Sequence, residues 1–340
     1  MFEKYSNNFF KCLFCFIPIS FLIGPSISLL NIIVIDLSFI LLIFIKRDFS
    51  FLKNKTVQLL FLFYLYLLFN SIISIDKSIG FNRNIGFVRI IILFIAFNYF
   101  FNKNNFFQKV FYFWLLVMSV VAIDTFFESF TGKNILGYGE QYGKRIVSFF
   151  KDEPVVGAYL AGFIFLIFGY LLKRYNKKTI AFTFLLIAFI AVIFTGERSN
   201  TLKVFSGIIF YFLLLDFLKI KTKLIIILLL FIIFGAILSQ SEYLKTRYVG
   251  QFYNVLTNKK NFEKLENNQY IRLYKSGYSV FKKYPFFGVG NKNYRVETCR
   301  EQNMNQPKLK YVCSTHPHQV YFEVQSEHGL VRFILILSIF

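Results

Sequence analysis

Apolar runs of roughly 16–21 residues, cut by short charged loops, recur along most of this chain. A helix needs about 20 apolar residues to cross a bilayer, because hydrocarbon offers the backbone no hydrogen-bond partner. The pattern predicts an all-α polytopic membrane protein of about ten transmembrane helices. Composition agrees: 56% of the 340 residues are apolar and 21% aromatic, above the ~45–50% apolar of soluble domains.

The spans fall near 9–24, 27–45, 56–75, 85–101, 107–127, 154–172, 179–195, 201–218 and 222–239, and a tenth opens in 319–340. This divides the chain into N-terminal helices (1–127), a loop at 128–153, central helices (154–239), a large polar loop at 240–318 and the start of a further helix (319–340). That last apolar run, Phe333–Phe340, is too short to cross a bilayer alone. It reads as a truncated helix, and the sequence as a fragment lacking later spans. The first run leads through Gly24-Pro25-Ser26 into a second span, unlike a cleavable signal peptide.

Orientation follows from the basic residues of the short loops. One set of alternate loops holds Lys46, Arg47, Lys53, Lys55, Lys103, Lys109, Lys173, Arg174, Lys177, Lys178, Lys219, Lys221 and Lys223. The opposite set holds only Lys77, Arg83, Arg89, Arg198 and Lys203. The positive-inside rule puts the richer set in the cytoplasm, so the loops at 128–153 and 240–318 face outward. The formal charge of +21 therefore reports topology. It does not indicate a nucleic-acid partner, since the lysines sit between helices and form no basic face or tail.

Four outward stretches carry polar chemistry: Lys144–Pro154, Thr195–Asn200, the pair Ile271-Arg272 followed by Tyr284–Gly290, and Ser314–Gly329. All three histidines, His316, His318 and His328, lie in the last. Arg198 sits where two helices meet with almost no loop between them. Its guanidinium suits phosphate oxygens; the alternative is a snorkelling arginine, or one paired with Glu197. Arg272 and Arg145 are either anion ligands or solvated loop charges. His318 can take a proton from a hydroxyl near neutral pH, or serve as a hydrogen-bonded turn histidine. His316-Pro-His318 lacks a third ligand at a recognisable metal spacing. His328, before Gly329, reads as a residue of a helix kink or cap. Gly288-Val-Gly290 reads as a turn, since no strand precedes it and no helix follows. Asp36 is an acid in mid-span without an evident partner.

Four cysteines are too few for a disulfide scaffold. Cys12 and Cys15 fall in the first span, whereas Cys299 and Cys313 share the outward loop, where an oxidising compartment permits a bridge. Such a bridge would pin the approach to His316 and His318.

The order Arg145–Pro154, Gly196-Glu-Arg-Ser199, Arg272, Pro285-x-x-Gly-x-Gly290 and His316-Pro-His-Gln-x-Tyr321 with Glu327-x-Gly329 resembles the O-antigen ligase and polymerase superfamily. So does the topology, with one large periplasmic loop late in the chain. The likeness covers about 140–333; the first five spans match only as hydropathy. It implies an inverting, metal-independent glycosyltransferase of the bacterial inner membrane that needs no cofactor and works at the periplasmic face. The implied partners are an undecaprenyl-pyrophosphate-linked glycan as donor, lipid A–core or another glycan as acceptor, and membrane lipids. By position, His318 would be the base, Arg198 and Arg272 the pyrophosphate ligands with Arg145 a weaker third, and His316 and Glu197 supports. Gln319 stands where the family has Asn. A polymerase joining lipid-linked repeats is the alternative within the family. Outside it stands a non-enzymatic transporter or flippase, which would require paired intramembrane charges and broken helices in matching halves.

Overall fold

The computed structural model describes residues 2–101, 106–139, 145–151, 153–173, 177–216, 218–250, 268–304 and 309–339. Lys103, Lys144, Asp152 and Arg174, and parts of the 128–153 and 240–318 loops, lie outside the described residues. Among these residues the chain is helical and has no strand. The helices are α1 (Phe2–Ile23), α2 (Pro25–Lys46), α3 (Lys55–Ile73), α4 (Lys77–Gly86), α5 (Val88–Phe101), α6 (Phe106–Thr131), α7 (Val156–Lys173) and α8 (Lys178–Phe194). They continue with α9 (Arg198–Leu214), α10 (Ile220–Gln240), α11 (Glu242–Lys245), α12 (Gln269–Lys283), α13 (Tyr294–Thr298), α14 (Glu301–Met304) and α15 (Val320–Ile339).

Among the described residues, six helical stretches are long and apolar enough to cross a membrane: Tyr5–Ile23, Pro25–Lys46, Lys55–Ile73, Lys77–Phe101, Phe106–Thr131 and Ile220–Gln240. The runs expected at 154–172 and 179–195 are apolar helices of shorter length, Val156–Leu172 and Lys178–Phe194. Those expected at 201–218 and 319–340 are helices outside the six. The first turn of α9 is polar, Arg-Ser-Asn-Thr. Helix α15 carries Glu323, Glu327 and Arg332 and breaks at Gly329. The chain is thus a multi-pass membrane protein.

Contacts divide it into two compact units: Met1–Asn31 with Lys103–Asn254, and Ile32–Asn102 with Val255–Phe340. In the first, α6 packs on α1, α7 and α8, and α7 on α8 and α9. Aromatic rings fill the seams: Phe111 stacks on Tyr170 at 3.9 Å, and Trp114 meets Phe163 edge-on at 5.2 Å. Pro18 lies inside α1 and brings no N–H, which leaves the carbonyl of Phe14 without its helical donor. The Trp114 indole supplies one, donating to Phe14 O at 2.8 Å. In hydrocarbon that substitution is what makes an internal proline tolerable.

The second unit packs α3 on α4, α5 and α15, and α12 on α15. Its distinctive feature is the break in α15. Gly329 has φ 68°, so the ladder opens there. The turn at Pro285–Gly290 pairs with the freed groups. Val289 and Gly290 donate to Ser326 O and Glu327 O, while the Leu330 and Val331 amides donate to Pro285 O and Phe286 O. From α3, Asn70 donates to Phe287 O at 2.8 Å and Tyr66 to His328 O. Gly288, at φ 68°, comes so close that a Cβ there would overlap the backbone of Glu327 and His328. The Gly-x-Gly turn read from the sequence is therefore a splint for a broken helix.

Candidate functional site

In the first unit the polar residues gather around the α8–α9 turn and the start of α7. Thr195-Gly196-Glu197 turns the chain so tightly that Gly196 takes φ 69°, a conformation costly for residues with a Cβ. The end of α8 is capped by side chains: Thr201 Oγ1 donates to Val192 O and Tyr248 Oη to Ile193 O, at 3.2 and 3.1 Å. Arg247 Nε donates to Gly196 O at 2.7 Å. Glu197 is buried; its carboxylate accepts from Gly157 N at 2.7 Å and from Asn200 Nδ2 at 2.6 Å. Gly157 permits the approach, since a Cβ would stand 3.0 Å from the Glu197 carboxyl carbon. Glu197 is thus a staple between α7 and α9. Arg198 opens α9 and is exposed. A cation at a helix N-terminus adds to the positive end of the dipole, an arrangement favourable to a bound anion.

Arg145 is half-buried in the same unit and directs Nη2 to Pro154 O at 3.5 Å, just before α7. The stretch that carries it is tied down by two acids of α6 one turn apart. Glu128 accepts from the Val147 and Ser148 amides at 2.9 and 2.6 Å, and Asp124 accepts from Ser148 Oγ and from Ile135 N. Asn134 completes the anchor, donating to Ser148 O at 2.7 Å.

In the second unit His316-Pro-His318 bends against α12. Gly277 makes room: a Cβ there would lie 3.0 Å from Pro317 Cβ. His318 is exposed, with a left-handed backbone at φ 55°. Such conformations cluster at sites where surrounding structure fixes them. Its ring lies 4.1 Å from that of His316 and meets Tyr270 edge-on at 6.0 Å. Arg272, also exposed, is in the same first turn of α12 as Tyr270. The unit therefore brings Arg272 and His318 to one end of α12. Gln319 caps α15, its Oε1 accepting from Phe322 N at 2.9 Å. Burial holds His316 below the ordinary histidine value, with His318 the next cause.

The approach to this turn is fixed twice. Cys299 and Cys313 form a disulfide with Cα atoms 4.5 Å apart. Beside it the buried Glu297 accepts from Lys283 Nζ at 2.8 Å, Tyr311 Oη at 3.2 Å and Tyr284 Oη at 3.4 Å. That hydrogen bond raises the Lys283 ammonium above its usual value.

His328 does not cap. It is fully buried in α15, and what it offers the break is its main-chain oxygen, to Tyr66. Sequence reasoning passed over Asp124 and Glu128, though two acids at i, i+4 near a span end are a signal. It also passed over Tyr243 and Arg247, which nothing in their order distinguishes from ordinary loop residues.

No curated protein and no solved structure matches the chain. Residues 182–337 match the O-antigen ligase family. It is over that segment, which carries Arg198, Arg272 and His318, that the chain is similar to the O-antigen ligase family.

Proposed function

We propose that this protein is an O-antigen ligase-like inverting glycosyltransferase at the periplasmic face of the bacterial inner membrane. It moves a glycan from undecaprenyl pyrophosphate to an acceptor sugar hydroxyl of lipid A–core. His318 takes the acceptor proton as the oxygen attacks the anomeric carbon. The bond from that carbon to the diphosphate breaks, and Arg198 and Arg272 hold the charge that develops on the leaving group. Pre-set charges of this kind carry much of the catalysis in such steps. Arg145 is assigned to the same substrate.

The observation that carries this reading is the family match over the one segment that contains Arg198, Arg272 and His318. The exposed positions of these three side chains support it. So does chemistry: outside the cytoplasm no nucleotide sugar is available, and a lipid diphosphate is an anion that a basic outward face attracts.

The test supplies the purified full chain with lipid-pyrophosphate glycan and, separately, lipid A–core or a second lipid-linked repeat. Release of undecaprenyl pyrophosphate with lipid A–core is expected; release only with the second repeat would make the protein a polymerase. His318→Ala should lower the rate by about 10²–10⁴-fold while the protein still inserts. Arg198→Lys should cost about 10²–10³-fold, because a point charge does not replace a planar fork. Wild-type release by His318→Ala would remove the mechanism.

A further inference from the structure

The first unit contains a cavity of about 490 Å³, within the roughly 300–1,000 Å³ of small-molecule sites. Its wall includes Arg145, Tyr243, Glu128, Gln240, Phe130 and Phe194. Two of its polar atoms, Arg145 Nε and Tyr243 Oη, are buried and have no hydrogen-bond partner among the described residues. Leaving such groups unsatisfied is costly, because each loses its water without gaining a partner. The opposite character comes from Phe130 and Phe194, whose rings lie 6.2 Å apart, Phe130 being 80% exposed.

That mixture selects an occupant. An acyl chain would seal Arg145 Nε and Tyr243 Oη away without partners. A phosphate would face the Glu128 carboxylate, which is part of the wall. A sugar ring offers hydroxyls at its edge to the guanidinium and the phenol, and C–H faces to the aromatic rings. The cavity lies at helix ends: the last turns of α6 and α10, both long enough to span, contribute Glu128–Thr131, Ile237 and Gln240 to it. It lies beside the α8–α9 turn as well, since a Cβ on Gly196 would stand 3.2 Å from Tyr243 Oη.

We propose that this cavity is the subsite for a sugar ring of the lipid-linked glycan, with Arg145 and Tyr243 hydrogen-bonding its hydroxyls next to Arg198. The proposal rests on the transferase reading for the identity of the glycan, but binding can be measured without transfer.

The test is saturation-transfer difference NMR on the full chain in detergent, with the methyl glycosides of glucose, galactose and N-acetylglucosamine as probes. At least one should give a signal. Tyr243→Phe and Arg145→Gln should each weaken it by about fivefold, the worth of one net hydrogen bond. Ile237→Trp, which fills the cavity without removing a polar group, should abolish it. An equal concentration of inorganic pyrophosphate should leave it in place. Silence from all three glycosides, a signal unchanged in both polar variants, or displacement by pyrophosphate would overturn the subsite. His318→Ala separates the two readings: it should keep the glycoside signal while losing transfer. A wild-type protein that binds glycoside but never releases undecaprenyl pyrophosphate would retain the subsite and lose the transferase.

Discussion

The two loops that carry the candidate residues are held by opposite means. In the first unit, the segment around Arg145 hangs from carboxylates at the end of a membrane helix, Asp124 and Glu128, which accept from its amides and from Ser148. In the second, the stretch before His318 is held by backbone pairing to a broken helix, by the contact of Lys283 with the buried Glu297 and by a disulfide. The first anchor is a few charge-assisted hydrogen bonds and can be removed one side chain at a time. The second is steric and covalent, and little of it tolerates change. Reactive groups follow the same division. The first unit presents only arginines, whose charge is fixed; the second adds to Arg272 the histidines, whose charge is not.

The strongest way to break the comparison is Gly288→Ala. The added methyl has no space, and the residue would also be held at φ 68°. Overpacking and left-handed strain each cost about 1–3 kcal/mol. Together they should leave little folded protein, read as loss of the monodisperse peak after mild heating in detergent. Tolerance of this change would mean that the splint is not what holds α15 open.

Next comes Cys313→Ser. Closing the 14-residue separation between Cys299 and Cys313 is worth about 3 kcal/mol in the chain-entropy account. The variant should melt earlier, and wild type should match it under reductant. Free thiols at both positions under non-reducing alkylation would contradict the bridge.

Glu128→Ala probes the first loop. It leaves the Val147 and Ser148 amides without their acceptor, at about 1–3 kcal/mol each. Hydrogen exchange at these two amides should speed up while α12 and α15 stay protected. Equal loosening in both units would erase the contrast between the anchors.

How much of this was legible in the sequence depends on how local each cause is. Helices announce themselves, because bilayer physics acts on every residue of a run, and α1–α3, α6 and α10 fall where hydropathy puts them. The Cys299–Cys313 pairing was legible for a similar reason: only these two cysteines share a loop. The role of Gly288 was not, because it depends on Glu327 and His328, about forty residues away in sequence, arriving at the same place. Arg198 could be placed at a helix mouth from spacing alone. Its surroundings, with Glu197 spent on Gly157 and Asn200 and Arg247 on the Gly196 carbonyl, required coordinates. Short-range constraints were readable, and long-range acceptors were not.

The smallest predicted effect bears on the charge contrast itself. His316 titrates below its ordinary 6.5, burial being the larger cause and the neighbouring His318 the next. A histidine with a depressed folded value contributes stability above its unfolded value, and that contribution is lost as pH falls through the folded one. The turn should therefore be intact at pH 7 and loosen progressively as pH falls below 6.5. Histidine ring NMR, assigned by loss of the signal in His316→Asn, should give a midpoint under 6.5. His318→Asn should move that midpoint up, but only part of the way, because burial persists. A full return to 6.5 would make charge repulsion between the two rings the whole cause, and an unshifted wild-type midpoint would mean that the turn does not bury His316 at all. Between these outcomes His316 is neutral at pH 7, so in the proposed transfer the proton taken by His318 would arrive beside an uncharged ring.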